Sequence, residues 1–198
     1  MALSPSALGA LIDSNLASEG ANGSNRTVFS DAVARGILMS IIGATFVTTD
    51  VGLTVGVGVG TGTGITGLAE SDMVSIALSQ MSSQGSNARP LMEAIMSAVM
   101  GELLNATLTT ADAPVFLGTG TINTGTIAVI ESVMAQNIDD QLKASGANGS
   151  NRTNLARAIA AGVTRQIITS GTGTVTITGS PTIPTPVPGV GAGTGVIT

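Results

Sequence analysis

The amino-acid sequence predicts an α+β fold of three tandem repeats, each a helix-turn-helix hairpin followed by a Gly/Thr-rich β-strand segment. Three observations predict it. Gly23-Ser24-Asn25-Arg26-Thr27 recurs unchanged as Gly149-Ser150-Asn151-Arg152-Thr153, and Gly85-Ser86-Asn87 followed by Arg89 is a worn copy between them. From Phe29, Leu91 and Leu155, each six residues past its glycine, apolar residues follow every four positions. Those runs are Val33, Ile37, Ile41; Ile95, Val99, Leu103; and Ile159, Val163, Ile167. Beyond each run lies an uncharged stretch in which glycine alternates with threonine or valine. Self-similarity at a long fixed period marks a repeat architecture, and spacing by four is the buried stripe of an amphipathic helix. The units are residues 1–68, 69–126 and 127–198, the last with a charge-free Gly/Thr/Pro-rich tail. Units of about 63 residues are marginal alone, so one compact domain is expected.

Residues 5–20 read as the first helix, with Pro5 near its start, where a missing N–H costs least. Ile12 and Leu16, matched by Val74 and Leu78 and by Ile138 and Leu142, give the first helix of each hairpin its apolar face. Ser24 or Asn25 caps a second helix over 25–45, in which Gly36 and Gly43 mark close packing. Leu53 to Val59 then alternates strictly, as a strand does. Unit two repeats the plan with helices over 71–82 and 90–104 and a strand over 115–122. Unit three has helices over 127–144 and 154–168 and a strand over 174–178. Pro181 to Pro188 reads as extended, and Gly193-Thr194-Gly195 repeats the Gly-Thr-Gly of the strand segments, with a disordered Gly-rich tail as the alternative over 179–198.

Composition excludes more than it proposes. Histidine and cysteine are absent, which removes the commonest general base, the commonest transition-metal ligand and any thiol nucleophile. Seven basic residues, of which Lys143 is the only lysine, are scattered against twelve acidic ones, so no nucleic-acid partner is expected. The apolar run from Ile37 to Val47 is short of the ~20 residues of a membrane helix, and no membrane partner is expected. Met1 to Pro5 has no basic region, so no secretory leader is expected either. The sequons at Asn22, Asn25, Asn105, Asn148 and Asn151 are mostly by-products of the turn repeat.

Gly62-Thr63-Gly64-Ile65-Thr66-Gly67 matches G-x-G-x-x-G, the glycine pattern of a dinucleotide turn. The acidic residue required about twenty positions on is missing, and Gln84-Gly85-Ser86-Asn87 stands there. There is no Gly-Lys phosphate loop. Asp139 and Asp140 are neighbours on a helix and point different ways, which reads as a solvated face. Asp50 and Asp112 follow Thr48-Thr49 and Thr109-Thr110-Ala111 and read as turn residues at matching helix ends. No catalytic residue, cofactor or metal is expected.

Two sets of residues are candidates for an interface. Arg26, Arg89 and Arg152 recur in a chain with few cations, as anchors to a carboxylate or carbonyl or as solvated first-turn arginines. Thr61, Thr119 and Thr194 sit in the recurring Gly-Thr-Gly of the strand segments. Such strands bury little apolar area and become stable by pairing edge to edge, within the chain or between copies. A homo-oligomer is therefore expected. The period-two threonines of Thr172 to Thr178 also suit a surface binder for ice or polysaccharide.

With Gly-Ala-Asn-Gly-Ser-Asn-Arg, Thr-Thr-Asp and Val-Gly-Thr-Gly-Thr-Gly in view, the chain resembles small virion structural proteins of tailed bacteriophages. The nearest style is that of the T4-like phages of marine cyanobacteria. The resemblance implies a non-enzymatic subunit in a virion, associated with copies of itself and with other virion proteins. A capsid decoration or cement protein and a neck or tail component are the roles it suggests. Cement is the narrower expectation, because a threefold-repeated chain suits a local threefold site.

Overall fold

The computed structural model describes residues 3–52, 58–81, 85–112, 119–122, 124–170, 173–178 and 189–197. The fold is α+β. Two helices, α1 (Pro5–Ser18) and α2 (Arg26–Ile41), lead into strands β1 (Thr45–Gly52) and β2 (Gly58–Thr66). Then come α3 (Glu70–Ser79), α4 (Ala88–Leu104), β3 (Thr107–Asp112), β4 (Thr119–Ile122) and β5 (Thr124–Ala128). The chain continues through α5 (Glu131–Ala144), α6 (Arg152–Ser170), β6 (Gly173–Thr178) and β7 (Gly189–Ile197).

The helices form as their sequences dictate. Ser4 caps α1 by accepting from the Ala7 N–H at 3.4 Å, and Pro5 occupies the first helical position. Gly20 and Gly146 end α1 and α5 at φ +86° and +90°, the left-handed conformation that glycine adopts without strain. The N–H groups of Ala21 and Ala147 reach back to the carbonyls of Leu16 and Leu142, both at 2.9 Å. Each helix packs on its chain neighbours, and α6 packs on α1, so six helices close a ring. Its core is aliphatic and methionine-rich, with Leu8, Ile12, Ile37, Ile95, Met73, Met92, Met96, Ile138 and Ile159 fully buried. Methionine fills irregular gaps that a core without tryptophan or tyrosine would otherwise leave.

All strand pairs are antiparallel, in the order β4-β6-β7-β1-β2-β3-β5. The two ends of that order, β4 and β5, are separated in the chain by residue 123 alone. β4 also lies beside β3, and β5 beside β6. The sheet therefore closes, with β4 and β5 sharing one of six staves. Its stagger can be read directly. The paired row from Thr119 passes through Thr178, Ala192, Thr49, Thr61 and Thr109 and returns to the starting stave at Thr126, seven residues further on. With ~3.3 Å per residue and ~4.8 Å between strands, that stagger gives a tilt of about 40°, normal for a closed barrel.

So narrow a barrel leaves little room inside. The row that carries the buried Leu108 and Ile127 holds glycine at 62, 120 and 193. Phe46, Ile65, Leu108 and Ile127 join the helical core from the strand ends nearest the helices. Gly64, at φ +81°, sits where one extra residue of β2 interrupts the β1–β2 register, and a Cβ there would lie 2.5 Å from the Leu104 carbonyl oxygen.

Several expectations are corrected. The second helix stops at Ile41, not Thr45, because Gly43 turns left-handed (φ +87°) and β1 begins at Thr45. The fifth helix starts at Glu131, since Ile127 and Ala128 complete β5. Strand segments are paired strands, not single ones. Asp50 and Asp112 lie in β1 and β3 opposite Gly60 and Gly58, so they are strand residues and not helix-end turns. Of the two readings of the C-terminal segment, the strand holds for Gly189–Ile197, which forms β7 and is bonded to both β1 and β6. Residues 53–57, 115–118 and 181–188, expected to be extended, lie outside the described set.

Glycine marks the helix crossings. A Cβ on Gly36 of α2 would meet the Met73 carbonyl oxygen of α3 at 2.6 Å, and one on Gly162 of α6 would meet Ile12 Cγ1 of α1 at 2.8 Å. Gly101 faces open space. Gly36→Ala is expected to destabilise the protein by ~1–3 kcal/mol, because two helix backbones must separate. Gly101→Ala is expected to stabilise it by ~0.5–1 kcal/mol through reduced chain entropy. Urea titration of the two variants checks both signs.

Candidate functional site

The repeated turn builds a clamp. Arg26, the first residue of α2, donates from Nε to Asp13 Oδ1 at 2.8 Å and from Nη2 to Asp13 Oδ2 at 3.1 Å. Its Nη1 donates to the Ala21 carbonyl at 2.8 Å, and the Thr27 hydroxyl donates to Asp13 at 3.1 Å. The identical set recurs in unit three: Arg152 bonds Asp139 at 2.9 and 3.0 Å and the Ala147 carbonyl at 3.2 Å, with Thr153 on Asp139 at 2.9 Å. The planar guanidinium suits this two-pronged grip. Each clamp ties the end of one helix to the start of the next across the Gly-Ser-Asn turn.

Arg89 does not belong to the set. The residue three past Gly85 is Ala88, already the first of α4 and 8% exposed. Arg89 is shifted by one, its side chain 63% exposed, and among the described residues it pairs with Glu93 one turn along at 3.6 Å. Ten residues before each glycine stand Asp13 and Asp139 in the clamped units, and Ser75 in unit two. Both partners are thus lost together. Asp139, expected on a solvated face, is instead a clamp acceptor with only 15% of its side chain exposed. The signal was available in the sequence, as an aspartate thirteen residues before Arg26 and before Arg152 and none before Arg89.

Electrostatics follow the hydrogen bonds. The bond from Arg26 lowers Asp13 below its ordinary carboxylate value; burial opposes this, while the Thr27 hydroxyl and the charge of Arg26 reinforce it. The bond from Arg152 lowers Asp139 in the same way, against burial, with Thr153 and the charges of Arg152 and Lys143 adding to it.

The threonine candidates fall on the barrel. Thr61 and Thr119 share the staggered row traced above, which has threonine at every strand except β7, where Ala192 stands. Thr194 lies in the next row, with Thr121, Thr176 and Val47. Thr61 and Thr109 are exposed. The structure does not bring the arginines and the threonines together: the clamps lie at the helix ends remote from the sheet. The G-x-G-x-x-G run starts inside β2 and is separated from α3 by Leu68 and Ala69, so it does not form a strand-to-helix phosphate turn. Among the described residues no three acidic side chains converge to hold a metal ion, and no helix is long and apolar enough to cross a membrane. No family model, curated protein or solved structure matches the chain.

The lowered carboxylates set an acid dependence. Their stabilisation is fully present above the unfolded value of ~3.9 and is lost as pH falls through the lower folded values. Thermal melts from pH 7 to pH 2 are expected to fall steeply in that window for the parent. The Asp13→Asn/Asp139→Asn double variant is expected to melt lower at pH 7 and to show a flatter profile below ~4. Arg26→Ala and Arg152→Ala should each lower the melting temperature several times more than Arg89→Ala, which is expected to stay within ~0.5 kcal/mol of the parent.

Proposed function

We propose that the chain is three tandem repeats of one helix-hairpin and strand-pair unit, serving as a non-enzymatic structural subunit of a tailed-phage virion. Its most specific role on this reading is a capsid decoration or cement protein, with a neck or tail component as the broader class. One observation carries the reading: two helices followed by antiparallel strands (two, three and two in turn) recur three times around a ring whose last helix and last strand touch the first. A monomer with that internal symmetry can offer nearly the same surface to three identical neighbours. The resemblance in composition and turn sequence supports the same reading, as does a chemistry without histidine or cysteine. Homo-oligomer formation and binding to other virion proteins belong to this proposal. The barrel is closed, so such contacts would use faces and turns, since added strands need a free sheet edge.

The threonine rows favour a second reading, a binder of ice or polysaccharide surfaces. Curvature counts against a flat partner. Closing six staves turns each strand by about 60° from the next, so a plane meets only one or two strands at once. No tryptophan or tyrosine is present to stack on a sugar ring.

An antibody against the chain, used on gradient-purified particles from phage-infected cyanobacteria, tests the first reading. The chain is expected to band with the particles at a fixed ratio to the major capsid protein. Recovery only from the soluble lysate would overturn it. Thermal hysteresis of the purified protein, expected to be absent, would turn the assignment to the second reading.

A further inference from the structure

The helical layer has an opening at the pole remote from the barrel. A pocket of about 370 Å³ lies there, within the ~300–1,000 Å³ range of small-molecule sites. Leu16 and Leu142, from the ends of α1 and α5, and Leu91 and Leu155, from the first turns of α4 and α6, form its apolar walls. Ala21 and Ala147 of the two clamped turns complete the apolar lining.

Internal packing accounts for only part of the choice of residues, which pack against the core without being enclosed by it. Six positions past each glycine the side chain is large and apolar, as Phe29, Leu91 and Leu155, yet all three are only partly buried. The next members of the same stripes, Val33, Ile95 and Ile159, are fully buried. Leu91 and Leu155 therefore keep at the pocket apolar surface that the fold itself does not cover, while Phe29 lies outside its lining.

The rim narrows the ligand class. Glu19 and Arg152 both line the pocket, but each is already paired. Glu19 Oε2 accepts from Arg157 at 3.0 Å, and Arg152 is spent on Asp139 and the Ala147 carbonyl. Asn154 Oδ1 accepts from Arg157 at 2.7 Å, which leaves its amide N–H₂. The side chains of Ser150 and Asn151 make no hydrogen bond to any described residue. Neutral hydrogen-bonding groups thus stand beside an apolar floor, with no unpaired charge to hold an ion.

We infer that this pocket binds a neutral aliphatic molecule with a single hydrogen-bonding head, of the size of a medium-chain alcohol or amide. The inference is independent of any role in a virion. Leucine methyl spectra of the full chain, titrated with 1-octanol, octanoate and octylammonium, test it. Octanol is expected to bind saturably at one site, to shift Leu16, Leu91, Leu142 and Leu155 selectively, and to bind at least tenfold more tightly than either ion. Ala147→Phe, filling the pocket, is expected to weaken octanol binding at least tenfold. Ala21→Phe enters from another wall and decides the matter if the first variant does not fold. Shifts that grow without saturation or spread over the molecule would overturn the site. Parent affinity in either folded variant would do the same. Equal or tighter binding of either ion would overturn the neutral class.

Discussion

Closure of the chain on itself is the constraint on which the rest depends. β7 pairs with β1 along its length, and α6 packs on α1, so the last elements complete what the first begin. Glycine-rich strands lose much backbone entropy on ordering and bury little side chain. They are retained because closure sets β4 and β5, the two ends of the strand order, in one stave between β6 and β3. The stagger of the threonine row and the glycines inside the barrel follow from the same requirement. A ring of six staves must tilt to close, and its interior accepts few side chains.

Closure also sets what the helices must do. Because every hairpin leaves and re-enters the barrel at one end, its turn stands at the opposite pole, where little packing holds it. The clamps of units one and three meet that need by joining the two helices through a shared aspartate. Unit two has Ser75 and Ala88 at the corresponding positions, so neither charge is left half-buried without its partner. Losing one member alone would strand the other in a partly desolvated site, an arrangement that is costly relative to losing both.

The first and third helix hairpins carry the same clamp, and the second differs. Thr61 and Thr109 are exposed on the barrel, and the chain carries few charges, among which Arg26–Asp13, Arg152–Asp139 and Arg157–Glu19 pair across the helical layer. Such a surface lends itself to shape-matched contacts over steered, charge-driven ones.

Local sequence by itself determined the helices. Phe29 to Ile41, Leu91 to Leu103 and Leu155 to Ile167 repeat at a period that only a helix satisfies, and the identical turns place each hairpin. Strands β1 and β3 were not legible as such, because Thr-Thr-Asp and Thr-Thr-Ala-Asp carry no apolar alternation. Their conformation is dictated by neighbours distant in the chain: Thr49 is extended because Thr61 and Ala192 flank it. The arginines were visible as a recurring set, but their roles were not. Arg26 and Arg152 acquire function from Asp13 and Asp139 on another helix, while Arg89, one residue out of register, meets only its own helix. Periodicity is a local property, and a short sequence window contains it. Ring closure, strand pairing and the partner of a charge are properties of the whole chain, and only the tertiary structure decides them.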